Sequence, residues 1–278
     1  MRTYIMSKLI EPDSDNVRHV LSLSGGKDSS ALAIYMRDRV PNMEYVFCDT
    51  GEELPETYDY LDKLEAHLGK PIAKLKNIKG FDELLKAKGG FLPSPQVRWC
   101  TEQLKIRPFE RFVGENTVIN YVGIRADEDD RKGYICSRRN IVPKYPFVED
   151  GITKKDVFRI LDESGMGLPD YYRWRSRSGC YFCFFQQRIE WVGLFENHPD
   201  LFAKAMEYER DDPINRDSYT WIEREKLVDL IKPERICQIK EEFEKRKQTE
   251  QAPRPNTRLL DIFDDEEGAD QACLICSL

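Results

Sequence analysis

Short apolar runs alternate with amphipathic stretches through the first half of the chain. Residues 18–23 (RHVLSL), 43–48 (MEYVFC), 71–76 and 117–123 (TVINYVG) read as strands. Between them, helices are predicted from Ser29 to Arg39, from Pro55 to Leu68, over 81–88 (FDELLKAK) and over 101–114. The second of these places Leu54, Tyr58, Leu61, Leu64 and Leu68 on one face at spacings of three and four. Strands that alternate with helices imply parallel strands joined by crossovers, hence an α/β, doubly wound, mostly parallel sheet. Ligands of such sheets bind beyond the carboxyl ends of the strands. Ser24 and Asp49 directly follow two of those ends.

Beyond residue 150 the pattern turns helical, with candidates at 153–164, 186–197, 199–210 and 221–247. The expected organisation is an α/β domain over 1–150, a helical extension over 151–247, and a flexible acidic tail over 248–278, which starts with the linker QTEQAPRPNTRLL. With 40% hydrophobic residues, 14 Phe and 13 Tyr, the chain can build a substantial core. No stretch approaches 18 apolar residues, which excludes a transmembrane helix. The N-terminus, MRTYIMSKLIEPDSDNVR, lacks a signal-peptide pattern, so a cytoplasmic protein is expected. The net charge of -7 argues against nucleic acid only until its distribution is considered. Residues 261–270 (DIFDDEEGAD) hold six carboxylates and no cation, and without them 43 basic residues face 44 acidic ones.

The segment HVLSLSGGKDSSALAIYM places Ser24, Gly25, Gly26, Lys27, Asp28 and Ser29 between a strand and a helix. Glycines let the backbone approach an anion, the helix N-terminus supplies N–H groups and partial positive charge, and Lys27 adds a full charge. The ATPase P-loop requires four residues between its glycine and Gly-Lys, and they are missing here. SGGKDS instead resembles the signature of the PP-loop ATP pyrophosphatases, which cleave ATP between its α and β phosphates. DTGEELPETYDY at 49–60, RWCTEQLKIRPF at 98–109 and GIRADEDDRKG at 123–133 resemble segments of the phosphoadenosine-phosphosulfate (PAPS) reductase branch of that family. The resemblance covers roughly residues 18–135 and implies an adenine nucleotide alpha hydrolase-like fold. It also implies ATP held at Ser24–Ser29 and Gly123, magnesium positioned by Asp49, and anionic groups balanced by Lys105 and Arg125, with Arg107 a weaker candidate.

The eight cysteines of a protein in a reducing compartment suggest metal, cluster or redox chemistry. Cys180 and Cys183 form CxxC, which by itself suits a redox pair, half of a zinc site, or cluster ligation. Zinc would require further ligands, and histidine is confined to His19, His67 and His198. In the resembling branch, iron–sulfur members pair two cysteines at the segment matching 99–100, and here Trp99 replaces the first. The resemblance therefore implies a [4Fe–4S] cluster on Cys100, Cys180 and Cys183, with Cys136 or an external ligand on the fourth iron. Cys273 and Cys276 form a terminal CxxC placed, as in PAPS reductases, on a tail, although the surrounding Glu-Cys-Gly-Leu-His pattern is absent. Cys48 and Cys237 are expected to pack as small hydrophobes. Tyr171 to Arg177 (YYRWRSR) offers arginines and aromatics for nucleic acid, or serves as a packed connector with exposed arginines.

Arg-Ser-Gly-Cys-x-x-Cys behind a reductase-like core resembles the ATP pyrophosphatases of DNA phosphorothioation systems. The implied partners are a nucleic acid, DNA rather than RNA, a cysteine desulfurase, and other modification proteins. The alternative is a thioredoxin-dependent PAPS or adenosine-phosphosulfate reductase.

Overall fold

The apolar runs pair edge to edge in a computed structural model that describes residues 17–128, 138–211 and 218–251 of the chain. Strands β1 (Val17–Leu23), β2 (Glu44–Cys48), β3 (Ile72–Leu75), β4 (Thr117–Tyr121) and β5 (Ile141–Lys144) form one sheet in the order β3-β2-β1-β4-β5. Every pairing is parallel. Between these strands lie α1 (Lys27–Met36), α2 (Pro55–Leu68), α3 (Phe81–Ala87), α4 (Trp99–Thr101) and α5 (Arg107–Val113), with a π-helical turn over Glu102–Ile106 joining the last two. The sheet is doubly wound, as the alternation of elements predicts. Successive side chains alternate between its faces. Leu21, Leu23, Tyr45, Phe47, Ile119 and Tyr121 pack with α1 and α2, whereas Val20, Val46, Cys48 and Val118 pack with Phe109 and Val113 of α5.

Strand β5 was not expected from the pattern. Only Ile141 and Val142 are apolar before Pro143, which lacks the N–H that an inner strand must donate. The edge position of β5 makes that proline tolerable.

Helices α6 (Pro146–Glu149) and α7 (Lys154–Glu163) follow, and Phe147, Val157 and Leu161 join the core beneath α1. The expected boundary at residue 150 thus falls inside the first core. Then come a 3-10 turn at Asp170–Arg173, α8 (Arg188–Asn197), α9 (Pro199–Glu207), a hairpin of β6 (Arg210–Asp211) and β7 (Ser218–Tyr219), α10 (Leu227–Leu230) and α11 (Pro233–Gln251). The single helix expected over 221–247 is divided. Ile222 bridges Glu225 around Arg224, whose φ of 62° is left-handed, and Pro233 starts α11 at a position that needs no amide donor. Helix α11 also extends into the first residues of the expected linker. Among the described residues no helix is long and apolar enough to cross a membrane.

These later elements build a second core together with residues 81–104. Phe182 is 3% exposed at its centre. Its ring lies 4.3 Å from Phe81, 4.7 Å from Tyr181 and 4.9 Å from Trp221. Phe182→Ala is expected to destabilise the protein by about 3–5 kcal/mol through loss of buried area and the cavity left behind. An unchanged urea midpoint would show that this cluster is not a core.

Candidate functional site

The loop after β1 is shaped by its two glycines. Gly25 has φ +72°, and a Cβ there would lie 2.6 Å from Thr57 Cγ2 of α2. A Cβ on Gly26 would lie 2.8 Å from Ser178 Oγ. The loop is tied internally, since Ser24 N donates to Ser29 Oγ at 3.1 Å and Ser29 Oγ donates to Gly26 O at 3.2 Å. Gly26 caps α1, whose first turn carries Lys27 and Asp28. At the end of β4, a Cβ on Gly123 would sit 3.1 Å from the Asp28 carbonyl oxygen, so β4 passes close against that first turn.

Asp28 lies at the switch point between β1 and β4, where ligands of doubly wound sheets bind. Its carboxylate accepts from Arg125 Nη1 at 3.0 Å and lies 3.2 Å from Lys27 Nζ. Burial would raise the Asp28 pKa, but the charges of Lys27 and Arg125 outweigh it and hold the carboxyl below its ordinary value. The Arg125 side chain is fully buried, and it also meets Asp127 at 3.0 Å and Glu128 at 3.8 Å. Arg125 therefore secures the loop after β4 to the phosphate loop.

Asp49, after β2, is 4% exposed. Its Oδ1 accepts from Gly51 N at 2.9 Å and Tyr58 OH at 2.8 Å, while Oδ2 meets Lys76 Nζ at 3.0 Å. The Lys76 side chain is 65% exposed, so a bound cation could displace its ammonium into solvent. The neighbouring Glu53 accepts from Thr50 Oγ1 at 2.7 Å and from Tyr58 at 3.2 Å. Burial raises its carboxyl pKa and Lys105 opposes the rise.

A second group of predicted residues meets beside this loop. Cys100, Cys180 and Cys183 line one pocket with Thr50, Lys105 and an apolar wall that includes Phe81, Leu104 and Phe184. Cys180 Sγ lies 3.3 Å from Thr50 Oγ1. Burial, then Glu53, push its thiol well above the ordinary range, with Lys105 opposing. Burial therefore favours the neutral thiol over the thiolate at Cys180. The arrangement does not suit a single ion, because among the described residues no three His, Cys, Asp or Glu gather closely enough to hold one. Lys105 is buried on the π-helical turn, a feature frequent at functional sites. Arg107, by contrast, is an exposed partner of Glu102 at 2.8 Å.

One segment joins the two groups. Tyr171 OH donates to Gly25 O at 2.7 Å, Lys27 N donates to Tyr172 OH at 3.1 Å, and Ser178 Oγ donates to Ser24 Oγ at 3.2 Å. Arg175 is 2% exposed and donates to the carbonyls of Gly179 at 3.2 Å and Cys180 at 2.9 Å. Tyr171 to Arg177 is thus chiefly a packed connector, with Arg173 directed outward. Sequence reasoning missed Glu53, Tyr58 and Ser178, and only proximity to DTG and CxxC marks them.

Cys48 is buried as expected, and burial pushes its thiol up to about 12. Cys237 corrects its expectation, because α11 presents it on an exposed face beside Glu241. Trp99 stacks on Phe81 at 5.3 Å inside the second core. His19 pairs with Tyr121 and His198 with Glu56, so neither adjoins the thiols. Cys136, Cys273 and Cys276 lie outside the described residues.

Residues 18–140 match the profile of the phosphoadenosine phosphosulfate reductase domain. That match covers 123 of the 278 residues, under half of the chain. An uncharacterized protein of Methanocaldococcus jannaschii is 29% identical over 220 residues, covering 73% of this chain and 51% of that protein. An uncharacterized protein of Escherichia phage 186 is 25% identical over 257 residues, covering 71% of this chain and 76% of the phage protein. A tRNA-specific 2-thiouridylase of Limosilactobacillus reuteri is 25% identical over 191 residues, covering 57% of this chain and 50% of that protein. Among solved structures, the PAPS reductase of Candida auris matches with TM-score 0.47 and 17% identity, covering 60% of this chain and 82% of that one. The chain spans about half the length, or less, of the two archaeal relatives it matches.

Two outcomes are expected of this site. Gly25→Ala combines left-handed strain with the Thr57 clash, whereas Gly51→Ala, at φ +79° with nothing within 4 Å, meets the strain alone. Both should lower thermal stability by roughly 1–3 kcal/mol from strain, and Gly25→Ala should lose more. Equal losses would show that the loop does not press on α2. Because the folded pKa of Asp28 is lowered, its ionised form adds stability above the unfolded value near 3.8, and this is lost as pH falls through the folded value. Wild type should exceed Asp28→Asn by about 1.5–3 kcal/mol at neutral pH. That gap should close in acid, and a pH-independent gap in denaturation experiments would contradict the assignment.

Proposed function

We propose that the chain is an ATP pyrophosphatase that adenylates a nucleic-acid oxygen for replacement by sulfur, in DNA phosphorothioate modification. The observation that carries this reading is the loop 176–183. Ser178 touches the phosphate loop while Cys180 and Cys183 enter the thiol pocket, so nucleotide and sulfur chemistry share one wall. A relative named for 2-thiolation of tRNA supports sulfur transfer to nucleic acid on this type of domain.

In the proposed reaction the α1 amides, Lys27 and Ser24–Ser29 bind the ATP phosphates, and Asp49 positions magnesium. An acceptor oxygen attacks the α-phosphorus, the bond to the β-phosphate oxygen breaks, and pyrophosphate leaves. Sulfur at the sulfide level then attacks the activated atom, and AMP departs with the original oxygen. On a DNA backbone that atom is phosphorus. Lys105 balances negative charge between the two groups. Cys100, Cys180 and Cys183, with Cys136 or an external ligand, would hold a [4Fe–4S] cluster that supplies an iron to carry sulfide. A cysteine desulfurase would provide sulfur as a persulfide on Cys273, Cys276 would release it as sulfide by closing a Cys273–Cys276 disulfide that an external dithiol reductant reopens, and the reaction would proceed in the cytoplasm beside other modification proteins.

The domain match also favours a second reading, a PAPS reductase that releases sulfite. The full chain, purified anaerobically and given ATP and magnesium, should release pyrophosphate, and Asp28→Ala should not. No release, together with sulfite formed from PAPS, would sink the thiolation reading. The same preparation should contain iron and sulfide and absorb broadly near ~400 nm. Its failure to do so would remove the cluster.

A further inference from the structure

We propose that Arg98, Phe185 and Arg177 form the docking site for a single-stranded phosphodiester chain at the mouth of the thiol pocket. The proposal rests on the nucleic-acid acceptor reading above and identifies which surface receives that acceptor.

Each member stands within three residues of a different thiol. Arg98 precedes Cys100, Arg177 precedes Cys180, and Phe185 follows Cys183. The fold gathers them although Arg98 and Arg177 stand 79 positions apart in the sequence. Both guanidinium carbons lie 5.1 Å from the centre of the Phe185 ring. Arg177 Nη2 also reaches to 4.0 Å from Cys183 Sγ. Phe185 lines the pocket that holds the three cysteines, and its ring lies 4.6 Å from that of Phe184. All three residues are half-buried, hence held in place and still reachable from solvent.

Two cations drawn to one ring repel each other, and the negative face of the ring offsets only part of that repulsion. Two successive phosphodiesters of a strand, one charge each, would neutralise both. A guanidinium carries five N–H donors, so bonds within the protein do not exhaust it, and its planar fork matches phosphate oxygens. The adjoining aromatic pair offers a surface for an unstacked base, the combination by which single strands are held. Tyr171 and Arg175, which composition nominates for this task, are buried beneath the phosphate loop and cannot perform it.

The strand has space to continue. Pro93 and Phe184 line both the thiol pocket and a neighbouring groove of about 1180 Å³. Arg188, Arg224 and Lys226 lie along that groove against Glu223, Glu225 and Asp229, and Arg188 pairs with Glu225 at 2.6 Å, so the groove carries no net charge. The groove therefore offers walls, and the rim arginines offer the charge.

The test is the salt dependence of binding, read by fluorescence anisotropy of the full chain with labelled single-stranded DNA and, in a second arm, RNA of the same length. The Arg98→Ala/Arg177→Ala double variant should lose at least tenfold in affinity at low salt. Its slope of log K against log salt should shrink by about 1.4, the contribution of two phosphate contacts on a single strand. Arg98→Lys/Arg177→Lys should retain most of the slope, and Arg173→Ala, an exposed arginine on the adjoining turn, should match wild type. Thermal melts establish that each variant is folded. Unchanged binding by a folded double alanine variant overturns the site, as does an equal loss in Arg173→Ala. If wild type binds DNA or RNA and only the variant prediction fails, the acceptor reading stands without this site. If wild type binds neither, both fall, and the rim is left for a protein partner.

Discussion

The organisation of this molecule depends on the contact between the Gly25–Gly26 backbone and the segment from Tyr171 to Cys180. Tyr171, wholly buried, donates to the Gly25 carbonyl, and Ser178 meets Ser24 across the space that a Cβ on Gly26 would fill. That approach joins the sheet to the aromatic core together with Tyr181 N donating to Glu52 O at 2.8 Å, His198 paired with Glu56 at 2.8 Å and Lys204 paired with Glu52 at 3.0 Å. With it, the carboxyl ends of β1 and β2 are roofed by the loop that carries the CxxC. The glycines thus serve two purposes, since they free the phosphate loop and also admit the roof.

Charge is distributed in keeping with this. Arg125 is fully buried, a position tolerated only with paired carboxylates, and Asp28, Asp127 and Glu128 supply them. The arginine that the family resemblance suggests for balancing phosphate therefore also holds the switch-point crevice together. Lys105 serves the other side, where it faces Glu53 and Cys180 within an apolar pocket. Removal of either cation would leave buried carboxylates or thiols without compensation, so binding and stability are coupled at these positions.

The sheet was legible in the sequence because both faces of each inner strand are covered, which leaves nearly continuous apolar runs such as VLSL and YVFC. Strand β5 was not, since an edge strand can be short and carry Pro143. The Ser24–Ser29 loop and the three pocket cysteines were legible as motifs, and the fold places those cysteines along one pocket. The roles within YYRWRSR were not, because the same composition serves an exposed basic surface and a buried connector. Only the hydrogen bonds of Tyr171 and Arg175 to backbone carbonyls separate the two. Cys237 shows the same limit on a helix, where a helical pattern alone does not say which face is covered.

Trp99 marks where the second core borders the pocket. In the resembling iron–sulfur branch a cysteine occupies this position, whereas here the indole stacks on Phe81 and donates to the Phe91 carbonyl at 3.0 Å. A thiol exchanged for a large buried ring moves the position from pocket to core. It also fixes the direction of the chain on either side. Cys100 then faces the CxxC, and Arg98, one residue before the anchor, is carried to the rim beside Phe185. A core contact thereby sets the spacing between the Cys100 thiol and the Arg98 cation.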